Sequence, residues 1–311
     1  MEALTWIGIF LISLFVLIKS SDYFTDIAEK IGLYFGIPQF IVGVTIVSIG
    51  TSLPELASSL FAQAAGNSEI IAGNVVGSNI ANILLVLGVA AIIGRRMKIS
   101  WELMHVDSPL LIISAFLIWF MLRDGLFTLP EGVICILGYI IYVHYTLTSQ
   151  KTHKSETKVK KPKLQQMDFI ILALSVVGIY YGAKYTIDAV VSIATLYNIG
   201  ADIVAISAVS IGTSLPELMV SVVAARKGKA ELAVGNVLGS NIFNSFMVLG
   251  IPSLFGSIVV GEQLITFALP VMLAATFMYL FSTQIKEVTR WEGWMFLLFY
   301  VFFIARLFGL F

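Results

Sequence analysis

The chain has 311 residues, 58% hydrophobic and 12% charged, with 19 basic residues against 19 acidic ones. The apolar composition identifies a polytopic membrane protein, while the zero net charge says nothing about partners, because its distribution matters more than its sum. The single cysteine, Cys135, rules out an intramolecular disulfide and any cysteine-based metal cluster.

Apolar stretches of spanning length occur at about 3–28, 37–64, 69–94, 106–122 and 128–147. They recur at about 167–190, 200–225, 230–255, 262–282 and 291–309. The start of the chain lacks the basic n-region of a signal peptide, so residues 3–18 are expected to begin a retained first helix. Between the two sets lies Gln150–Lys163, with six lysines, one glutamate and Pro162. The expectation is an all-α membrane protein of ten transmembrane helices in two inverted five-helix repeats, 1–148 and 167–311, joined by a linker over 149–166. Five spans per repeat, an odd number, invert the second copy relative to the first. If the linker is cytoplasmic, fifteen of the nineteen basic residues fall on that side, which places both termini outside the cell membrane.

The first and sixth spans end in amphipathic extensions, from Ser20 and from Gly182, in which Asp26 and Asp188 correspond. They are read either as interfacial caps on long tilted helices or as carboxylates lining an ion access path.

A ten-residue string occurs twice, 162 residues apart: Val47–Leu56 and Val209–Leu218 both read VSIGTSLPEL. At the same offset Gly73–Ile80 (GNVVGSNI) matches Gly235–Ile242 (GNVLGSNI). Each copy of the first string carries a glutamate inside an apolar run. A charged side chain at mid-bilayer costs roughly 2.5–3.5 kcal/mol on insertion scales, so a symmetric pair points to a cationic ligand. On a helix, Ser48, Thr51, Ser52 and Glu55 form one polar stripe, repeated by Ser210, Thr213, Ser214 and Glu217. Pro54 and Pro216 remove the usual amide partners of the Gly50 and Gly212 carbonyls. These are hard oxygen donors, suited to Ca²⁺ or Na⁺. No basic residue lies in the four spans that carry these strings, which argues against a simple ion pair for either glutamate.

Asn74, Ser78 and Asn82, and likewise Asn236, Ser240 and Asn244, are spaced by four and form ladders beside GxxxG pairs. Interhelical hydrogen bonding is the expected role of Asn74 and Asn236. Ser78, Asn82, Ser240 and Asn244 are the candidates for ion contact.

At Gly50–Leu56, Gly212–Leu218, Gly77–Asn79 and Gly239–Asn241 the chain resembles the calcium/cation antiporter superfamily, and within it the prokaryotic sodium/calcium exchangers. The resemblance implies four core helices, the second, third, seventh and eighth, around the ions, with the first and sixth sliding past them. It carries ligand roles onto Glu55, Glu217, Thr51, Thr213, Ser52, Ser214, Ser78, Ser240 and Asn82, with backbone oxygens from the turns at Ser48 and Ser210. Asn244 stands where many relatives have aspartate, which disfavours potassium coupling. The expected function is a Na⁺/Ca²⁺ antiporter; the alternatives are H⁺/Ca²⁺ and K⁺-dependent Na⁺/Ca²⁺ exchange. The branch coupled to protons typically carries an asparagine-alanine-threonine-glutamate core that GTSLPEL does not match, which favours sodium. No cofactor is expected, and the partners are the transported Ca²⁺ and Na⁺ and the lipid bilayer, with no nucleic acid and no evident protein partner. A passive channel is disfavoured, because midplane carboxylates in inverted broken helices are a transporter plan. No HExxH helix, Ser/His pair or aspartate dyad suggests an enzyme.

Overall fold

In the computed structural model, which describes residues 2–99, 107–149, 162–196, 214–307 and 309, the apolar runs form helices. These are α1 (Glu2–Phe35), α2 (Gln39–Ala64), α3 (Glu69–Gly94), α4 (Asp107–Leu122) and α5 (Leu129–Ser149). After the linker come α6 (Gln166–Leu196), α7 (Leu215–Arg226), α8 (Ala230–Ser253), α9 (Leu264–Gln284) and α10 (Arg290–Leu307). Seven of these rods are long and apolar enough to cross a membrane, and Ser108–Leu122 is apolar but shorter. α7 has 12 described residues, and α10 carries Arg290, Glu292 and Arg306 near its ends. Residues 150–161, most of the expected linker, lie outside the described residues.

The 162-residue offset extends from the strings to the architecture. Glycines with positive φ follow α2 at Gly66 and α7 at Gly228. A short strand, β1 (Arg96–Lys98), follows α3, and its counterpart β3 (Ile258–Val259) follows α8. β2 (Leu126–Phe127) precedes α5 and β4 (Glu287–Thr289) precedes α10. The strands pair across the halves, β1 with β4 and β2 with β3, both antiparallel. One clasp thus closes each end of the bundle.

The halves also interlock within the bundle. A Cβ on Gly293 of α10 would sit 2.6 Å from the Gly88 carbonyl of α3, and one on Gly132 of α5 would sit 3.0 Å from the Gly250 carbonyl of α8. Glycine is needed there because backbone meets backbone. At the centre Asn79 donates to the Asn241 carbonyl (3.3 Å) and Asn241 donates to the Asn79 carbonyl (3.2 Å). Two residues equivalent by repeat exchanging the same bond are the signature of an approximate two-fold axis.

Burial separates core from periphery. In the most apolar stretch of α8, 94% of residues are buried, against 11% in α1. α1 and α6 pack on each other: Gly178 against Ser20, Gly182 against Leu17, and the Thr186 hydroxyl on Ser13 at 3.0 Å. Ascending numbers on one helix meet descending numbers on the other, so the two run antiparallel, as inversion requires. Leu11, Ile12 and Phe15 on α1 and Leu174 and Val177 on α6 are exposed, as lipid-facing side chains are. A 34-residue helix is about 51 Å long at 1.5 Å per residue. That exceeds a hydrocarbon layer of about 30 Å, so α1 tilts or projects, and its last turns carry Asp22, Asp26, Glu29 and Lys30.

Candidate ion-binding site

The polar stripe of α2 forms as the periodicity predicts. Ser48 opens an α-helical stretch that runs to Ala64 through Pro54, and Ser48, Thr51, Ser52 and Glu55 are all buried. A π-helical turn, Gly43–Val47, immediately precedes it. Wider turns of this kind mark functional positions in many helices. Gly43 lets α2 cross α8 closely: its Cβ would lie 3.0 Å from the Gly235 Cα. The Ser48 hydroxyl donates to the Val44 carbonyl at 2.7 Å, inside the same crossing.

On α7 the described residues begin at Ser214, with α7 starting at Leu215 and Pro216 in its first turn, where a missing N–H costs nothing. Glu217 follows and is fully buried. Ser210 and Thr213, both expected ligands, lie outside the described residues. The remaining expected ligands, Ser78 and Asn82 on α3 and Ser240 and Asn244 on α8, are buried. Ser78 also lines a cavity of about 690 Å³ that includes Ser59, Glu69 and Asn74.

The structure connects the two strings directly. The Ser52 hydroxyl donates to Glu217 Oε1 at 2.9 Å, joining the first copy of GTSLPEL to the second. Asn236 completes the bridge: its Oδ1 accepts from the Thr51 hydroxyl at 3.2 Å, and its Nδ2 donates to Ser221 Oγ at 2.9 Å and to the Glu217 carbonyl at 3.4 Å. The interhelical role expected of Asn236 is therefore observed, whereas Asn74 is half-buried at the cavity wall.

Asn82 and Asn244 each begin a further π-helical turn, Asn82–Leu87 and Asn244–Val248. The turn at Asn244 packs on the α2 segment that bears Glu55, and the turn at Asn82 packs on α7, which bears Glu217. Each glutamate helix is thus packed against a π-helical turn from the other half that opens on an asparagine.

What unites these groups is unused oxygen. Both Glu55 carboxylate oxygens, Glu217 Oε2, the Ser214 and Ser240 hydroxyls and the side-chain amides of Asn82 and Asn244 are buried without a hydrogen-bond partner. Leaving one buried acceptor unsatisfied costs roughly 1–3 kcal/mol, and more for a charged group. Among the described residues no salt bridge reaches Glu55 or Glu217. Two carboxylates, hydroxyls and amide carbonyls buried without a counter-charge are hard oxygen donors of the kind that suit a hard cation. No group of three or more His, Cys, Asp or Glu side chains gathers among the described residues.

Sequence reasoning missed two features. The π-helical turns have no signal in residue periodicity. Asn79 and Asn241 were inside the recognised strings, but the four-residue spacing directs attention to Asn74, Ser78 and Asn82 instead. Their retention at the same place in both copies was the available signal.

A family model described as sodium/calcium exchanger protein matches residues 5–148 and 167–309. The sodium/calcium exchanger MaX1 of Methanosarcina acetivorans is 34% identical, the alignment covering 96% of this chain and 97% of the relative. An uncharacterized membrane protein of Methanocaldococcus jannaschii, MJ0091, is 33% identical with 97% of each covered. The solved structure of the sodium-calcium exchanger NCX_Mj, soaked with zero Na⁺ and Ca²⁺, superposes with a TM-score of 0.85 at 30% identity over 98% of this chain and 99% of that one. With the repeats, the crossed halves and the inward-turned oxygens, these matches place the chain in the sodium/calcium exchanger family, a family of transporters and not of enzymes.

Proposed function

We infer that the protein is a secondary active antiporter that exchanges Na⁺ for Ca²⁺ by alternating access across ten spans in two halves, 1–148 and 167–311. The observation that carries this reading is the pair of buried carboxylates, Glu55 and Glu217, with three of four oxygens unpartnered. Two formal charges balance one Ca²⁺. Asn82 and Asn244 add carbonyl oxygens without adding charge, so several Na⁺ in the same shell exceed that balance and make exchange electrogenic. Thr51, Ser52, Ser78, Thr213, Ser214 and Ser240 supply hydroxyls, and Ser48 and Ser210 supply backbone oxygens.

The deciding experiment is ⁴⁵Ca²⁺ uptake into proteoliposomes with an outward gradient of Na⁺, K⁺ or H⁺ imposed in turn. Uptake is expected with Na⁺ alone, without K⁺, and is expected to respond to membrane potential. A requirement for K⁺, or uptake driven by a pH gradient and not by Na⁺, overturns the coupling.

The linker over 149–166 is proposed to be cytoplasmic and both termini external, from the basic residues near it. With Cys135 replaced by alanine, a cysteine at Ser155 should react with an impermeant maleimide only in inside-out vesicles. Labelling of intact cells would invert the whole topology.

A further inference from the structure

Near the end of α1, its carboxylates meet the loop between α7 and α8. Lys227 Nζ lies 3.2 Å from Asp22 Oδ1 and 2.9 Å from Asp26 Oδ2, and Lys229 Nζ lies 2.8 Å from both Asp26 Oδ1 and Glu29 Oε2. The Lys229 side chain is 12% exposed and Glu29 21%, against 56% for Asp26, so the Lys229–Glu29 pair is the one most sheltered from bulk water. Burial opposes its charge, but the hydrogen bonds to Asp26 and Glu29 outweigh that and hold the ammonium above the usual lysine range.

A second pair at the same end has a different geometry. Lys30 Nζ bonds both oxygens of Asp168, at 2.7 and 2.8 Å. This pair joins α1 to α6, whereas the five-residue cluster joins α1 to the core.

The repeat makes the cluster's asymmetry visible. At the 162-residue offset, Asp22, Asp26 and Glu29 correspond to Lys184, Asp188 and Val191, and Lys227 and Lys229 correspond to Ala65 and Asn67. Lys184, Asp188, Ala65 and Asn67 are exposed, and among the described residues no salt bridge joins α6 to the Ala65–Asn67 loop. Among the described residues the contact is therefore ion-paired at one end only.

We propose that Asp22, Asp26, Glu29, Lys227 and Lys229 form a one-sided latch that holds the α1–α6 pair against the core at the linker end, biasing the resting protein toward opening at the opposite end. This rests on the alternating-access reading above. Sliding of α1 and α6 along the core must break the latch, while Lys30–Asp168 travels with the moving pair.

The two ion pairs can be replaced by cleavable thiol-to-thiol cross-links in a Cys135→Ala background, with exchange measured before and after cleavage. Cross-linked Asp26→Cys/Lys227→Cys should lose at least about tenfold of its Ca²⁺ exchange and regain it on cleavage, because a conformational step is blocked. Cross-linked Lys30→Cys/Asp168→Cys should keep exchange within about twofold. Undiminished exchange in the cross-linked Asp26/Lys227 protein overturns the latch.

A readout independent of transport separates failure of the latch from failure of the antiport reading. Spin labels at Tyr23→Cys and Arg226→Cys, both exposed positions outside the cluster, should report one short distance in the parent. A second, longer population should appear with Lys227→Gln/Lys229→Gln. An unchanged distribution overturns the latch whatever ion is carried. Loss of Ca²⁺ flux with every counter-ion in the uncross-linked parent counts against the antiport reading alone.

Discussion

Replacing either buried carboxylate, by Glu55→Gln or Glu217→Gln, is expected to reduce Ca²⁺ exchange at least about 100-fold while leaving a folded, extractable protein. Glutamine keeps the shape of the side chain and one carbonyl oxygen but removes half of the charge that balances a divalent ion. Breaking a buried charge pair by removing one partner costs roughly 3–5 kcal/mol, and about 1.4 kcal/mol is a factor of ten in affinity. The fold should survive because no basic group depends on either glutamate among the described residues. The thermal transition in EDTA should accordingly stay the same or rise, while the upward shift produced by Ca²⁺ in the parent should disappear. Normal transport in either variant would remove that glutamate from the ion shell.

The second large effect is expected where α2 and α8 cross. A Cβ on Gly239 would fall 2.5 Å from Ser48 Oγ and from the Val44 carbonyl, and 2.6 Å from the Val44 Cα. Alanine is the better helix former by roughly 0.8–1.0 kcal/mol, so propensity favours Gly239→Ala. Sterics oppose it, since two of the three obstructing atoms are backbone and cannot rotate away. Overpacking of this kind typically costs about 1–3 kcal/mol, so the net effect of Gly239→Ala should be destabilising. Gly239→Val should abolish extractable, monodisperse protein. Gly8→Ala, where a Cβ meets nothing within 4 Å, should be neutral or slightly stabilising. Size-exclusion profiles and thermal transitions in detergent measure all three. An unaltered Gly239→Val protein would show that the crossing is not tight.

The residues explain why so much of this was legible beforehand. A glutamate in an apolar run is costly enough to demand a reason, and its repetition at a fixed offset supplies one, so Glu55, Glu217 and the stripe Ser48–Thr51–Ser52 could be read from spacing alone. The same offset predicted the helical pairs α1/α6 and α3/α8. What spacing could not convey was which half meets which. That the turn beginning at Asn82 packs on the helix of Glu217, and the turn beginning at Asn244 on that of Glu55, follows from the crossing of the halves, which is a property of tertiary packing. The amphipathic ends of the first and sixth spans show the same limit. Both readings of Asp26 were compatible with its position; its ion pairs with Lys227 and Lys229 favour a capping and holding role at the linker end over an ion path. The π-helical turns shift the register of a helix without altering the residue pattern that predicts it, so they too become visible only in three dimensions.

The interlocking of the halves bears on how the protein is made. α5, from the first half, packs by Gly132 on Gly250, and α3 leaves at Gly88 a groove that Gly293 and Leu297 of α10 fill. Each strand of the first half finds its partner in the second, and Asn79 waits for Asn241. During synthesis the first five helices therefore emerge with their inner faces uncovered, and α10, among those that close them, follows only after more than a hundred further residues. Contacts so distant along the chain form slowly. For that interval the inserted first half must be shielded by lipid or by the insertion machinery, and premature termination anywhere before α10 leaves an unfinished bundle for quality control to remove.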